Sequence, residues 1–227
     1  MEIKILYEDK SIIVAVKPPN IPSQPDKTGD MDIFSFLSEK YGISNGGIVH
    51  RLDRGVGGIM VFARDKASLS SLSAQFADKT TKKKYAAVLM GEVPQKSGIL
   101  KDYMIKKSGS NFSVIAKKGD RDAKEAVLSY EVLQSVQNEK YGTLTLADIN
   151  LETGRHHQIR LQFSNIGCPI WGDTKYNSNF RKIPGGFNIA LFSYFLSFKH
   201  PLTKEGLSFK EAPVDFPFSE FENFFLY

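Results

Sequence analysis

The chain opens with two short apolar runs. "IKILYE" (residues 3–8) and "SIIVAV" (11–16) are rich in β-branched side chains and flank the turn-like Asp9-Lys10 pair, which predicts two strands. Residues 17–30, "KPPNIPSQPDKTGD", carry four prolines and too few apolar side chains for an element, so they read as a loop. "DIFSFLSEKYG" (32–42) sets Phe34 and Leu37 three apart with Gly42 at its end, the pattern of a short helix. "GIVHRLD" (47–53) reads as a strand entering the loop around Asp53, and "GIMVFA" (58–63) as a further apolar strand. In "RDKASLSSLSAQFADK" (64–79), Leu69, Leu72 and Phe76 recur at helical spacing behind Asp65, a suitable cap.

Beyond residue 80 the period shortens. "KKYAAVLMGEV" (83–93), "GILKDYMI" (98–105), "FSVIAKK" (112–118), "EAVLSYEVLQSV" (125–136) and "GTLTLADINLE" (142–152) all read as strands. "RHHQIRLQFSNIG" (155–167) reads as a helix that starts at Thr153 or Gly154 and ends at Gly167. From Asn188 the chain is again strand-like and aromatic, with "PVDFPF" (213–218) as an extended finish. No repeat, linker or low-complexity tract interrupts the pattern, and helices mix with antiparallel-looking strands without a βαβ rhythm. The expectation is an α+β protein, a single domain over residues 1–227 built on a large mixed sheet.

Composition supports a packed core, since 41% of the 227 residues are hydrophobic and 12% aromatic. A net charge of +5 and a pI near 9.1 permit a nucleic-acid partner without demanding one. The single cysteine, Cys168, excludes an intramolecular disulfide and fits a reducing compartment. The four histidines show no metal-site spacing; adjacent His156 and His157 cannot both face one site from a regular helix. The start, "MEIKILYEDK", lacks an apolar signal segment, and no apolar run approaches the roughly 20 residues that span a bilayer. A soluble, cytoplasmic monomer is expected.

Three stretches hold residue types suited to chemistry. In "HRLDRGVGG" (50–58), Asp53 lies between Arg51 and Arg54, and Gly55, Gly57 and Gly58 follow. The glycines permit close backbone approach to a ligand or positive φ; the plainer reading is a hairpin whose aspartate caps its own turn. In "TGRHHQIRLQF" (153–163), Arg155, His156, His157, Gln158 and Arg160 crowd the expected first turns of a helix, where free N–H groups and a guanidinium suit phosphate. Arg160 precedes Leu161 and Phe163, a plausible place for a partly buried guanidinium with a carboxylate partner. An exposed polar helix face is the alternative. In "TTKKKYAAVLMG" (80–91), Tyr85 follows three lysines, which suits base stacking beside phosphate, or else a core tyrosine at a strand edge. There is no Ser-His-Asp set, nucleotide-binding phosphate loop, paired carboxylate or metal cluster. A reaction run on these residues needs no ATP, metal or redox cofactor, and isomerisation of an RNA nucleotide meets that restriction.

The same stretches, in this order, resemble the RluA family of pseudouridine synthases. That family carries an H-R-L-D loop, a K-x-Y strand and R-x-H-Q-[IL]-R followed by G-x-P-I-x-G-D-x-x-Y, here "HRLDRGVGGIMVFARD", "KKYAAVLMG" and "TGRHHQIRLQFSNIGCPIWGDTKY". "VKPPNIPSQP" resembles its early K-P loop, and "IALFSYFLSFKHPLTKEGLSF" with "APVDFPF" its C-terminal strands. The resemblance implies a mixed, largely antiparallel sheet with flanking helices and a central catalytic cleft. It implies that a uridine in ribosomal or transfer RNA is detached at N1, turned, and rejoined through C5, with no cofactor. On this chain Asp53 matches the essential aspartate, as nucleophile on ribose or uracil or as the base that takes a ribose proton. Arg160 matches its pairing arginine, an opposite charge that favours the carboxylate. Tyr85 matches the tyrosine that stacks on the base. Arg51 matches the residue that fills the gap left by the flipped uridine, with Arg54 beside it facing RNA. Arg155, His157 and Gln158 are expected to support the loop or hold RNA backbone, and His50 and Leu161 complete the expected substrate-binding set.

Two positions depart from the family pattern. Val56-Gly57 stands where Thr-Ser is frequent, and Phe192 where histidine is common. The catalytic pattern begins within the first twenty residues, so the S4-type domain that precedes it in longer members is not expected. "KTTKKK" (79–84) and "KKGDRDAK" (117–124) are candidate phosphate-binding segments or simply solvated faces. The competing readings are a non-catalytic RNA-binding or ribosome-assembly factor on the same fold and a small-molecule isomerase.

Overall fold

The structure, a computed structural model, describes residues 2–43, 45–181 and 187–221. In chain order its elements are β1 (Ile5–Glu8), β2 (Ile12–Lys17), α1 (Ile33–Tyr41), β3 (Gly47–Ile48), β4 (Gly57–Ala63), α2 (Lys66–Ala77), β5 (Lys82–Met90), β6 (Ser97–Lys106), β7 (Ser113–Ala116), β8 (Lys124–Asn138), β9 (Gly142–Leu151), α3 (Gln158–Asn165), β10 (Leu191–Lys199) and β11 (Gly206–Lys210). They fall into two compact units, Met1–Lys83 with Phe192–Pro213, and Lys84–Leu191 with Val214–Tyr227. Mixed, mostly antiparallel strands with three α-helices among the described residues make the protein α+β. No described helix is long and apolar enough to cross a membrane.

In the first unit β1, β2 and β4 pair antiparallel in that order, and β3 adds to β4. β10 runs parallel to β4 and forms a hairpin with β11. All seven residues of β4 are buried, so side chains from both of its faces enter apolar surroundings. Ile12, Val14, Ile59 and Val61 join Leu72 of α2 and Leu196 and Phe198 of β10 in one core. Both helices start where the sequence predicts. Asp32 accepts the Ser35 N–H ahead of α1, and Asp65 accepts the Ser68 N–H ahead of α2. Gly42, left-handed at φ 64°, closes α1.

In the second unit β5, β9, β8, β6 and β7 form an antiparallel series. α3 lays Leu161 against Met104 of β6 and Ala126 of β8, and Phe163 meets Tyr130 edge-on. Six of its residues, Gln158 to Phe163, are buried, although three of them are polar or charged. Those polar groups therefore need partners inside the fold.

Three expected elements differ. The strand expected over residues 47–53 stops at Ile48. Beyond it, side chains take over from ladder bonds: His50 Nε2 accepts the Val61 N–H at 3.1 Å, and Ser23 Oγ accepts the Leu52 N–H and donates to the Leu52 carbonyl. The helix expected from Thr153 or Gly154 begins only at Gln158. The Gln158 side-chain oxygen accepts the Thr153 hydroxyl and the Arg155 N–H, which fixes residues 153–157 as a turn. His157 ends that turn in the left-handed region at φ 55°. Consequently His156 and His157 precede the helix, and their rings stack 3.7 Å apart instead of diverging as they would within it. "PVDFPF" does not stay extended; it turns at residues 215–217 into a single 3-10 turn, Phe218–Glu220.

The glycines after Asp53 answer to β10. A Cβ on Gly58, at φ 128°, would lie 2.4 Å from the Ser193 carbonyl oxygen and 2.5 Å from its nitrogen. A Cβ on Gly57 would lie 3.0 Å from the Phe192 ring. Gly57 and Phe192 are register partners, so the two departures from the family pattern occupy one another's space. Gly57→Ala should cost about 1–3 kcal/mol of overpacking, and Phe192→Leu should relieve it. Gly58→Ala adds backbone strain of about 1–3 kcal/mol to a clash with main chain, and Phe192→Leu should not relieve that. Urea denaturation of the single and double variants tests both; equal rescue of the two glycine variants contradicts the assignment.

Candidate active site

Asp53 stands at the start of a tight turn in which its carbonyl accepts the Val56 N–H at 2.9 Å. The neighbouring loop, residues 17–32, holds this turn from several sides. Lys17, at the end of β2, is fully buried, and its ammonium donates to the carbonyls of Pro18 (2.9 Å), Ile21 (2.7 Å) and Arg54 (3.1 Å). Ser23 binds both polar groups of the Leu52 main chain. Arg54 pairs with Asp30 at 2.6 Å and Asp26 at 3.1 Å. The half-buried Asp53 thus sits on a turn whose backbone is fixed, while Arg51 beside it is exposed. Burial pushes the Lys17 ammonium down to about 7, with the Asp53 carboxylate opposing that shift and Arg54 adding to it.

His50 supports this loop from the core. Its ring stacks on Phe76 at 4.6 Å, and the Lys83 ammonium lies 5.3 Å from the same Phe76 ring. Burial, with Lys83 nearby, pushes His50 down to about 3, so it stays neutral at working pH. Because Nε2 accepts from Val61, the ring proton lies on Nδ1.

In the second unit Tyr85 is buried on β5, in register with Ile149 of β9. Arg160 forms a buried fork with Asp173, Nε to Oδ2 at 2.8 Å and a terminal nitrogen to Oδ1 at 2.6 Å. Asp173 Oδ1 also accepts the N–H groups of Lys175 and Tyr176. The Arg160 guanidinium lies 5.4 Å from the Tyr176 ring, and the Tyr176 hydroxyl is bonded to His157 Nδ1. Burial first, then the positive charges of Arg160, His156, Lys175 and Lys106, push His157 down to about 2. Gln158 is spent within the turn and on the Val127 carbonyl. Exposed Arg155 donates from Nε to the Glu125 carbonyl.

The predicted residues accordingly divide. In the first unit one loop carries Arg51, Asp53 and Arg54, directly after His50. In the second, α3 and its entry turn gather Arg155, His157, Gln158, Arg160 and Leu161. Sequence reading missed Lys17, Ser23, Asp173 and Tyr176 as supports. Lys17, Asp173 and Tyr176 were visible as letters of the K-P loop and of G-D-x-x-Y, yet nothing in those letters says that they are buried and paired.

The fold defines the class. It aligns with human RNA pseudouridylate synthase domain containing 1 at a TM-score of 0.78 and 20% identity, over 94% of this chain and 84% of that one, which makes it a pseudouridine synthase fold. Residues 11–165 match the RNA pseudouridylate synthase family, and the chain belongs to that family, whose members isomerise uridines in RNA. An uncharacterised RNA pseudouridine synthase of Bacillus subtilis (strain 168), YlyB, is 35% identical over 225 residues, 94% of this chain and 70% of its own length. Ribosomal large subunit pseudouridine synthase C of Rickettsia bellii (strain RML369-C) is 34% identical over 178 residues, 77% of this chain and 57% of its own length.

The buried groups set two expectations. Lys17 loses its proton near 7 when folded and at 10.5 when unfolded. Between those values the unfolded chain binds the additional proton, so stability rises with pH there. Wild type should gain stability relative to Lys17→Met from about pH 6 to about pH 9 in urea denaturation; a gap independent of pH contradicts a charged lysine buried at this cost. Asp173→Ala strands the buried Arg160 charge and should destabilise the chain by about 3–5 kcal/mol, whereas Arg160→Met with Asp173→Leu should cost less than the two single changes together. Additive losses would show that the pair is not coupled.

Proposed function

We propose that this chain converts uridine to pseudouridine in ribosomal RNA, with Asp53 as the catalytic carboxylate. The observation that carries the reading is the Asp53 turn itself, a carboxylate on a backbone fixed by Lys17, Ser23 and Arg54 beside the exposed Arg51. Fixed placement of a reacting group removes much of the entropic barrier to its attack. The ribosomal assignment is supported by the Rickettsia relative, whose name gives the large ribosomal subunit as its place of action. Transfer RNA is the other substrate class the family resemblance admits.

The reaction is an isomerisation. The N1–C1′ bond breaks, a C5–C1′ bond forms, the C5 proton leaves and N1 takes up a proton. Atoms and electrons balance without oxidant, reductant or nucleotide cofactor. Asp53 attacks the ribose or the base or removes a ribose proton, and Tyr85 and Arg160 keep the roles that the resemblance implies. Arg51, planar and exposed, is suited to restack the gap left by a flipped uridine, which costs a few kcal/mol to open. His50, Gln158, His157 and Leu161 act in this reading by holding the loop and the α3 entry, and Arg155 and Arg54 line the RNA side. The protein works as a cytoplasmic monomer.

A pseudouridine map of ribosomal and transfer RNA from a deletion strain, complemented with wild type or Asp53→Asn, tests the proposal. A ribosomal position lost on deletion and restored only by wild type is expected, with RNA affinity of the purified variant within about twofold of wild type. Restoration by Asp53→Asn would remove Asp53 from the chemistry, and a lost site in transfer RNA alone would move the substrate.

A further inference from the structure

The tip between β6 and β7, residues 107–112, belongs to none of the motifs that carry the family. It ends in Phe112, which is 40% exposed. Other large apolar side chains are exposed among the described residues, including Ile99, Leu202 and Val214. Phe112 differs in having the Lys175 ammonium 5.2 Å from its ring centroid.

This corner is built, not loose. The Tyr176 ring meets Phe112 edge-on at 5.8 Å, and its hydroxyl accepts the Ser113 N–H at 2.8 Å. Lys175 donates to the Asn111 carbonyl at 2.7 Å, and His156 Nε2 is 2.9 Å from the Asn111 side-chain oxygen. Ser113 Oγ donates to the His156 carbonyl. An aromatic ring is thereby held in one orientation at the surface, so little ordering remains to be done when a ligand arrives. Lys106 and Lys107 are exposed at the base of the same tip, and Lys175 is half-buried.

We propose that Phe112 and Lys175, with Lys106 and Lys107, form a nucleotide subsite for single-stranded RNA, in which a base stacks on Phe112 and the lysines meet its phosphates. The inference rests on the chain acting on RNA and adds a contact that selects unpaired substrate. One exposed ring with an ammonium over it, on a tip that carries two further exposed lysines, is too small and too basic a surface for a stable protein interface, which needs a larger apolar centre, whereas it has the elements of a stacking platform.

Binding of a fluorescein-labelled twelve-nucleotide oligouridine, and of the same oligomer with abasic sites throughout, tests the subsite in wild type, Phe112→Leu, Phe112→Trp and Asp53→Asn. Phe112→Leu should bind the oligouridine about tenfold more weakly, within the range of one lost base stack, and Phe112→Trp should bind at least as well as wild type. The abasic oligomer should bind wild type and Phe112→Leu alike, because only phosphate contacts remain. Unchanged affinity in Phe112→Leu, equal loss for the abasic oligomer, or no binding of oligouridine by wild type each overturns the subsite. If Phe112→Leu binds normally while wild type still modifies RNA in the complementation experiment, the subsite fails and the proposed function stands. A wild type that neither binds nor modifies RNA removes both.

Discussion

The first unit depends on one buried lysine. Lys17 has no exposure to solvent, and its ammonium is satisfied by three main-chain carbonyls from two separate loop segments. Charge-assisted hydrogen bonds to carbonyls offset much of the cost of removing an ammonium from water, and they work only if all three acceptors converge. That requirement fixes the course of residues 18–21 and of the turn after Asp53 simultaneously. The ends of β2 and β4 supply the rigid frame, since Lys17 and Gly58 are register partners. Loss of the lysine side chain would leave three carbonyls without their donor, so the loop's shape and this buried nitrogen are one constraint seen from two sides.

A similar economy governs the entry to α3. Five of the polar side chains there could each have served a substrate, yet most are used in construction. Gln158 satisfies the turn before its own helix, Arg160 and Asp173 neutralise each other, and His157 stays neutral against Tyr176. Buried polar groups of this kind add specificity to a fold because a wrong arrangement leaves them unsatisfied. What remains at the surface, Arg155 in the second unit and Arg51 in the first, is a smaller set than the motifs suggest. The strong motif letters therefore mix two kinds of residue, those that act and those that hold the actors still.

The pairing of Gly57 with Phe192 makes the same point for departures from a pattern. Read separately, a missing hydroxyl and a missing histidine look like two weakened contacts. In the structure the ring of Phe192 fills the space that any side chain at residue 57 would need, so one packing solution replaces both. Such an exchange preserves the density of the interior, which tolerates volume-conserving change far better than loss or excess.

Most of the elements were legible in the chain because they follow local rules. Strand periodicity, the Asp32 and Asp65 caps and the left-handed Gly42 act within a few residues, and apart from the strand expected over residues 47–53 these elements formed where the pattern placed them. The motif residues themselves were equally legible. Element boundaries failed where a side chain takes up main-chain groups that a ladder or helix would otherwise hold. Leu52 leaves the ladder with both of its main-chain groups satisfied by Ser23, the His50 ring takes up the Val61 N–H, and α3 starts late because Gln158 folds back on Thr153 and Arg155. Lys17 became the support of the Asp53 turn, and Asp173 the partner of Arg160, only through burial. Sequence by itself determined which residues carry charge, rings and turns, since those are properties of single side chains and their neighbours. Tertiary structure decided which of them are spent on one another, because hydrogen-bond partners and lost solvent are set by segments that meet only when the chain has folded.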